Sequence, residues 1–468
     1  MSALARYFHR RGDSVSGYDR TPSPLTAELE AEGIAIHYDD RPDLLPDSID
    51  MVVYTPAVPE ELGELQALRK RGVAIEKRSQ VLGELTKGKR CIAVAGSHGK
   101  TTTSTLIAHL LAKAPCGCSA FLGGISKNLD SNILVDNDSE YVVVEADEYD
   151  RSFLQLHPFY TVITATDADH LDIYGDHHTL LEAYAKFANQ TDPEGLVLLK
   201  ENIFLEDDGD TFGESHHHEG CHHHEGHHHE GHDHPGAYDF IAAPHATYTA
   251  RGIEADYYAI NIRTYNGNIF FDMRTPDGVL YDLELDGAPL VNVENAVAAS
   301  AIALRCGLDQ YQLRTGLKTF AGVRRRFDYR IREKDLVYID DYAHHPQEIE
   351  RTIESVRMLY PGKRVVGVFQ PHLYTRTRDF ADEFARVLAA LDEVVMMPIY
   401  PAREKPIAGV TSSMVLRKID SMSKYLCTAD QVLELVPALC PDVVLTLGAG
   451  DIDRLVPRLE ATLRENML

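Results

Sequence analysis

A lysine and a hydroxyl residue at the end of a glycine-flanked turn form the constellation in this chain with the most definite chemistry. They lie in Cys91-Ile-Ala-Val-Ala-Gly96-Ser97-His98-Gly99-Lys100-Thr101-Thr102-Thr103-Ser104. Backbone N–H groups at a helix start cradle phosphate oxygens. Lys100 is placed to neutralise β- and γ-phosphates, and the Thr101 hydroxyl to ligate Mg²⁺. The common spacing is G-x-x-x-x-G-K-[ST]. Here Val94 stands where the first glycine would be, so the loop is the shorter G-S-H-G-K-T-T-T. The chain is expected to bind a nucleoside triphosphate and to act on it.

Other reactive groups follow apolar runs. Glu145 follows Tyr141-Val-Val-Val144, in Glu145-Ala-Asp147-Glu148. A carboxylate at the carboxyl end of a strand beside a phosphate loop is well placed for Mg²⁺. Thr164-Ala-Thr-Asp167-Ala-Asp169-His170 closes the next run and offers His170 as a ligand for a second Mg²⁺ or as a substrate-orienting group. Val323-Arg-Arg325-Arg326-Phe327 is a basic cluster able to bind phosphates from across a cleft. Asp340-Asp341-Tyr342-Ala-His344-His345-Pro346, Gln370-Pro-His372-Leu-Tyr374-Thr-Arg376-Thr-Arg378-Asp379 and Leu447-Gly-Ala449-Gly450-Asp451 each end a further apolar run. Taken singly, a structural histidine or a solvated turn explains any of them. Their shared place at strand carboxyl ends, where open α/β sheets bind ligands, argues for one site.

The elements that must carry these groups alternate along the chain. Residues 2–11, 24–32 and 61–71 read as helices, and 14–17 and 51–54 as strands. The run 92–95 is a buried parallel strand, and Leu106, Ile107, Leu110 and Leu111 give the helix after the loop one apolar face. Strands are expected at 141–144, 161–164 and 196–199, with a helix at 180–189. Beyond Gly322, strands at 337–339, 365–369, 394–397 and 443–447 alternate with helices, which implies a parallel sheet covered on both faces. The fold class is α/β, parsed as three domains: 1–88, 89–319 and 320–468. The chain opens directly on a helix, where a nucleotide-binding α/β domain ordinarily has a strand and a Gly-rich turn; a start upstream of Met1 is expected.

Residues 215–235, built on H-H-H-E-G, hold eleven of the 23 histidines. Such a composition cannot pack a core and reads as a solvated insertion that binds Ni²⁺ or Zn²⁺ in vitro. The net charge of −26 over 468 residues excludes a nucleic-acid-binding body. Seven scattered cysteines (91, 116, 118, 221, 306, 427, 440) argue against a disulfide framework and for a reducing cytosol. No apolar run reaches the roughly 18–20 residues of a membrane span, and no signal peptide is visible.

Jointly the segments G-S-H-G-K-T-T-T, E-A-D-E-Y-D-R-S-F-L, D-A-D-H-L-D-I-Y, N-V-E-N-A-V-A-A, G-V-R-R-R-F, D-D-Y-A-H-H-P-Q-E-I, F-Q-P-H-L-Y-T-R-T-R-D-F and G-A-G-D-I resemble the Mur ligase superfamily. The resemblance implies an N-terminal domain for a UDP-sugar, a central phosphate-loop ATPase and a C-terminal Rossmann-like domain. It implies a cytoplasmic, ATP- and Mg²⁺-dependent ligase of peptidoglycan precursor synthesis, monomeric or homodimeric, that interacts with neither nucleic acid nor membrane. ATP would phosphorylate the lactyl carboxylate of UDP-N-acetylmuramate, and the amine of L-alanine would attack the acyl phosphate.

By the same resemblance, Gly96, Ser97, His98, Gly99, Lys100, Thr101 and Thr102 take the phosphates. Thr101 and Glu145 hold one Mg²⁺ and His170 a second. Asn292 and Asn295 approach the adenine side, Arg325 or Arg326 the phosphates, and Asp341 the ribose. Tyr342, His344, His372, Arg376, Arg378 and Ala449 take the amino acid and acyl phosphate, with Lys100, His170, His344, His372 and Arg376 catalytic. Two features depart from the family: H-N-x-x-N reads Val291-Asn-Val-Glu-Asn295, and the N-terminal Gly-rich loop is not in the sequence. The rivals are a recycling ligase that joins a preformed tripeptide to the same sugar, a metal-delivery GTPase using the His-rich tract, and a metal-storage protein. The second needs an [NT]-K-x-D segment, which is missing; the third leaves the other motifs unexplained.

Overall fold

Apolar side chains on both faces put the strand Arg90–Ala95 at the centre of a sheet, with Cys91 to Ala95 fully buried. A computed structural model describes the chain apart from residues 56–57, 168–170, 206–237, 239, 253, 403, 421–422 and 468. The central sheet has ten strands. From edge to edge they are Gly278–Leu285, Asn268–Thr275, Tyr257–Tyr265, His245–Thr249, Leu196–Lys200, Pro158–Ile163, Arg90–Ala95, Tyr141–Glu145, Ser119–Ser126 and Ser131–Leu134.

Its middle is parallel, as the alternation of strand and helix predicts. Both edges are antiparallel. At one edge, Tyr257–Tyr265 and Asn268–Thr275 turn through Asn266 (φ 51°) and Gly267 (φ 77°). Two positive φ values in a two-residue loop are what an Asn-Gly hairpin needs.

The helix Lys100–Leu111 is buried all round rather than along one face. Thr103, Ser104, Thr105 and Ala108 are small enough for neighbouring helices to close over the side away from the sheet. One neighbour, Gln310–Lys318, comes so near that a Cβ at Gly316 would meet Leu110 Cδ2 at 2.4 Å. Burying Leu106, Ile107, Leu110 and Leu111 stabilises this packing by roughly 1.5–3 kcal/mol each.

The second large sheet runs Asp328–Arg332, Val337–Asp341, Val443–Leu447, Val365–Phe369, Glu393–Met396, Lys424–Leu426. It is parallel, as the alternation beyond Gly322 predicts, except for its first strand, which is antiparallel and was not foreseen. The carboxyl ends of three adjacent strands therefore bring Asp341, Gly448 and Gln370 side by side.

The N-terminal region carries two separate parallel pairs, Ser16–Tyr18 with Ala35–His37 and Met51–Tyr54 with Ala74–Lys77. The strand expected at 14–17 thus begins two residues later. The helix Ser2–Arg10 is tied down by Arg6, which is 2% exposed and donates to Glu28, Glu32 and Asn132. Among the described residues, no helix is long and apolar enough to cross a membrane.

Candidate active site

The loop Gly96–Gly99 leaves the central strand and starts the helix Lys100–Leu111 with Gly99 (φ 83°) at its N-cap. Gly96 (φ 133°) lies against the next strand end, where an added Cβ would meet Thr164 Oγ1 at 2.3 Å and Ala165 N at 2.7 Å. Ser97 N donates to Ala165 O (3.0 Å), Asp167 N donates to Ser97 Oγ (2.9 Å), and the Thr164 hydroxyl donates to His98 O. These bonds fix the loop before any ligand arrives. Gly96→Ala is expected to lose nucleotide binding together with at least 2 kcal/mol of stability, about the cost of strain plus overpacking. Nucleotide titration and a denaturant curve check this; an unchanged midpoint contradicts it.

Lys100 Nζ has three donors and uses all of them: Gly96 O at 2.6 Å, Glu148 Oε1 at 2.8 Å and Glu148 Oε2 at 2.7 Å. Glu148 is 1% exposed, and burial raises its pKa against the opposing pull of Lys100. The ammonium is thus pinned over the loop, where a phosphate oxygen can replace one of its partners.

Thr101 Oγ1 donates to Glu145 Oε1 at 3.0 Å, and Gly123 N donates to Glu145 Oε2 at 2.9 Å. The hydroxyl and the carboxylate are hard oxygen donors one turn into the phosphate cradle. This suits Mg²⁺, which keeps most of its waters and takes phosphate oxygens besides one or two protein ligands. Among the described residues, no group of three His, Cys, Asp or Glu forms an all-protein metal cage. His170 and the 215–235 tract lie outside the described residues.

Asn292 and Asn295 sit on the helix Val291–Arg305 beside the loop. Thr103 Oγ1 donates to Asn295 Oδ1 (3.1 Å), and Asn295 Nδ2 donates to Asn292 Oδ1 (3.0 Å). That chain of bonds leaves Asn292 as the outermost amide. Thr102, on the first turn of the loop helix, is half-buried.

The second sheet and the segment leading into it supply the remaining groups. Arg325 takes φ 62° and donates to Asp340 Oδ2 (3.2 Å) and Gly448 O (2.6 Å). The guanidinium carbons of Arg325 and Arg326 lie 5.2 and 5.0 Å from the Tyr342 ring centre, within cation–π range. Asp341 is buried, which pushes its pKa up to about 6, while Arg326 and a 2.9 Å bond from Thr352 Oγ1 oppose the shift.

His344 Nδ1 lies 2.9 Å from Tyr342 O. A carbonyl only accepts, so Nδ1 carries the hydrogen and Nε2 keeps a lone pair. Burial lowers the His344 pKa against the pull of Glu348, which favours the neutral ring. Its ring centre is 5.9 Å from that of His372, which stacks on Tyr400 and accepts from Arg376 Nη1 at 3.4 Å.

Ala449 lies in the turn between Gly448 (φ 144°) and Gly450, where a Cβ at Gly450 would meet Gln370 Oε1 at 2.5 Å. Arg378 is separate from this group: it pairs with Asp379 at the exposed surface.

Sequence reasoning assigned no role to four residues that organise the site. Glu148 clamps Lys100; its place in Glu145-Ala-Asp147-Glu148 was the available signal. Glu348 caps the helix Pro346–Leu359, as an acid three residues after His345 foretells. Gln370 holds Asp451 Oδ1 and Ile452 N at 2.7 and 2.9 Å. Glu404 accepts from Tyr374 N and Thr375 N at 2.5 and 3.0 Å and so anchors the segment bearing Arg376. It arrives from a distant loop and has no local signature.

Three family models match in succession: Mur ligase family, catalytic domain, over residues 1–90; Mur ligase middle domain over 94–303; and Mur ligase, glutamate ligase domain, over 325–450. The chain is similar to the UDP-N-acetylmuramate–L-alanine ligase of Parabacteroides distasonis, at 47% identity over 97% of this chain and 93% of the relative. It is 45% identical to the ligase of the same name from Phocaeicola vulgatus, over 98% of this chain and 94% of the relative. Among solved structures, the UDP-N-acetylmuramate–alanine ligase of Thermotoga maritima superposes with a TM-score of 0.79 at 26% identity, covering 99% of this chain and 96% of the other. The murein peptide ligase of Psychrobacter arcticus gives 0.65 at 19% identity, again over 99% and 96%, a likeness of fold alone.

Proposed function

The chain belongs to the Mur ligase family, and from that membership we propose that it joins L-alanine to the lactyl carboxylate of UDP-N-acetylmuramate. It is an ATP-dependent, amide-bond-forming ligase of peptidoglycan precursor synthesis. The observation that carries the chemistry is the pinned Lys100 beside the Thr101–Glu145 pair, facing a His344–His372–Arg376 cluster on the second sheet.

A carboxylate oxygen attacks the γ-phosphorus, and ADP leaves. Lys100 and the N–H groups of the loop hold the phosphate charge that develops, which is where such transfers are accelerated. Thr101 and Glu145 would hold Mg²⁺, which supplies charge neutralisation between the phosphates when bound; His170 is our candidate for a second ion. Asn292 and Asn295 face the base, and Arg325, Arg326 and Asp341 line the nucleotide from the other domain. The amine then attacks the acyl carbon, and inorganic phosphate leaves with the former carboxylate oxygen. His344 Nε2, unprotonated, can accept the proton that the alanine ammonium must lose, while His372 and Arg376 orient its carboxylate. Tyr342 and Ala449 close the amino-acid side.

The identity and coverage of the alanine-ligase relatives favour alanine over a tripeptide. A cytoplasmic location fits the six described cysteines, all unpaired. Supplying L-alanine, glycine, L-serine or an L-alanyl tripeptide with ATP and the UDP-sugar, and weighing the products, tests the assignment. Preferential addition of alanine is expected; preference for the tripeptide would reassign the chain to recycling. Removing residues 215–235 is expected to leave alanine-dependent turnover within about twofold while abolishing retention on a Ni²⁺ resin. A metal-delivery role predicts loss of function instead.

A further inference from the structure

Glu348 uses its two oxygens for different things. Oε2 accepts the N–H groups of His344 at 3.0 Å and His345 at 3.1 Å, the arrangement of a helix capping box. The cap accounts for that oxygen alone. Oε1 lies 3.6 Å from His98 Nδ1, inside the phosphate loop of the central domain. Oε2 is also 3.4 Å from His344 Nδ1, at the proposed amine site. The other His98 nitrogen, Nε2, lies 3.7 Å from Asp167 Oδ2.

The side chains of His98, Glu348 and His344 are 22%, 20% and 21% exposed, so the carboxylate sits between two imidazoles and largely out of water. Burial opposes its ionisation, yet the contact with His98 and the bond from the His344 backbone N–H more than offset that and hold its carboxyl well below the usual range. The two reacting groups are carried on different domains: the acyl phosphate forms at the phosphate loop, and the amine is held by the second sheet. A misplacement of about 1 Å between such groups costs on the order of a hundredfold in rate.

We propose that Glu348 is a positioning residue for the ligation step, tying the phosphate loop through His98 to His344 so that the acyl phosphate and the attacking amine meet in register. This rests on the ligase reading above. His98 then does more than lend its backbone to the phosphates: its ring reports the position of the loop to the amine site.

The test is steady-state kinetics of the full chain with ATP, UDP-N-acetylmuramate and L-alanine for Glu348→Gln, His98→Gln and the double variant. Glutamine keeps an oxygen for the two backbone N–H groups, so the helix cap survives. Each single variant is expected to raise the alanine KM about tenfold, the scale of a sub-ångström loss of register between the reacting groups, with the ATP KM held within about twofold. The double variant is expected to be no worse than the more affected single one, because both remove the same tie.

His98→Gln is the decisive arm: a loop residue with only a phosphate-binding role would raise the ATP KM and spare alanine. That result, or effects that multiply in the double variant, overturns the coupling. Should Glu348→Gln prove unstable, the His98→Gln split alone decides. Wild-type protein without alanine-dependent ADP release would instead overturn the ligase reading itself.

Discussion

Lys100→Ala lowers kcat/KM on the order of 10³-fold, the scale of removing a fixed charge from a developing phosphate charge. It should also change stability in a pH-dependent way. All three Lys100 donors are engaged, two of them on a carboxylate that is 1% exposed. Removing one partner of a buried pair costs about 3–5 kcal/mol, because the other charge stays buried. The sign follows from Glu148, whose folded-state pKa burial already raises above the ordinary value. Without the ammonium it rises further. A carboxyl whose folded pKa exceeds its unfolded pKa favours the folded state more as pH falls, so the stability deficit of Lys100→Ala shrinks at lower pH. Denaturant curves at pH 8 and pH 6 beside turnover assays check both parts. Adding Glu148→Gln is expected to recover stability but not activity. Retention of more than a tenth of wild-type turnover by Lys100→Ala would remove Lys100 from the mechanism.

Glu145→Gln carries the second large effect. The carboxylate holds Thr101 Oγ1 on one oxygen and Gly123 N on the other. Glutamine can keep Gly123 N on its oxygen and donate its NH2 to Thr101 Oγ1, but it brings no charge and one oxygen fewer, so it loses the pull on a divalent cation. The half-saturating Mg²⁺ concentration is expected to rise on the order of 100-fold, with activity partly restored at high Mg²⁺. Gly123→Ala should mimic it, since a Cβ there would lie 2.3 Å from Glu145 Oε2. An unchanged Mg²⁺ dependence in Glu145→Gln would move the cation site elsewhere.

The phosphate loop could be read from sequence because strand, turn and helix are contiguous and each residue's role is local. The same holds for His344 and His372, which follow buried strands directly. The partners of these groups were harder to foresee. Glu148 meets Lys100, and Glu404 meets Thr375, only after the chain folds back. Arg378 shares a basic segment with Arg376 but turns to the surface on a short helix, a difference of face that spacing alone did not decide. The antiparallel edge of the central sheet was less legible, because its strand Tyr257–Tyr265 is largely exposed and carries no continuous apolar run, leaving the Asn266-Gly267 turn as its local signal.

The central claim is that ATP activates a carboxylate and an amine then displaces phosphate. Its most direct test uses UDP-N-acetylmuramate labelled with ¹⁸O in both oxygens of the lactyl carboxylate, with ATP, Mg²⁺ and L-alanine. Each phosphate released is predicted to carry one ¹⁸O atom, and the alanyl product the other. Unlabelled phosphate, or phosphate released at the same rate without the sugar, would contradict the account.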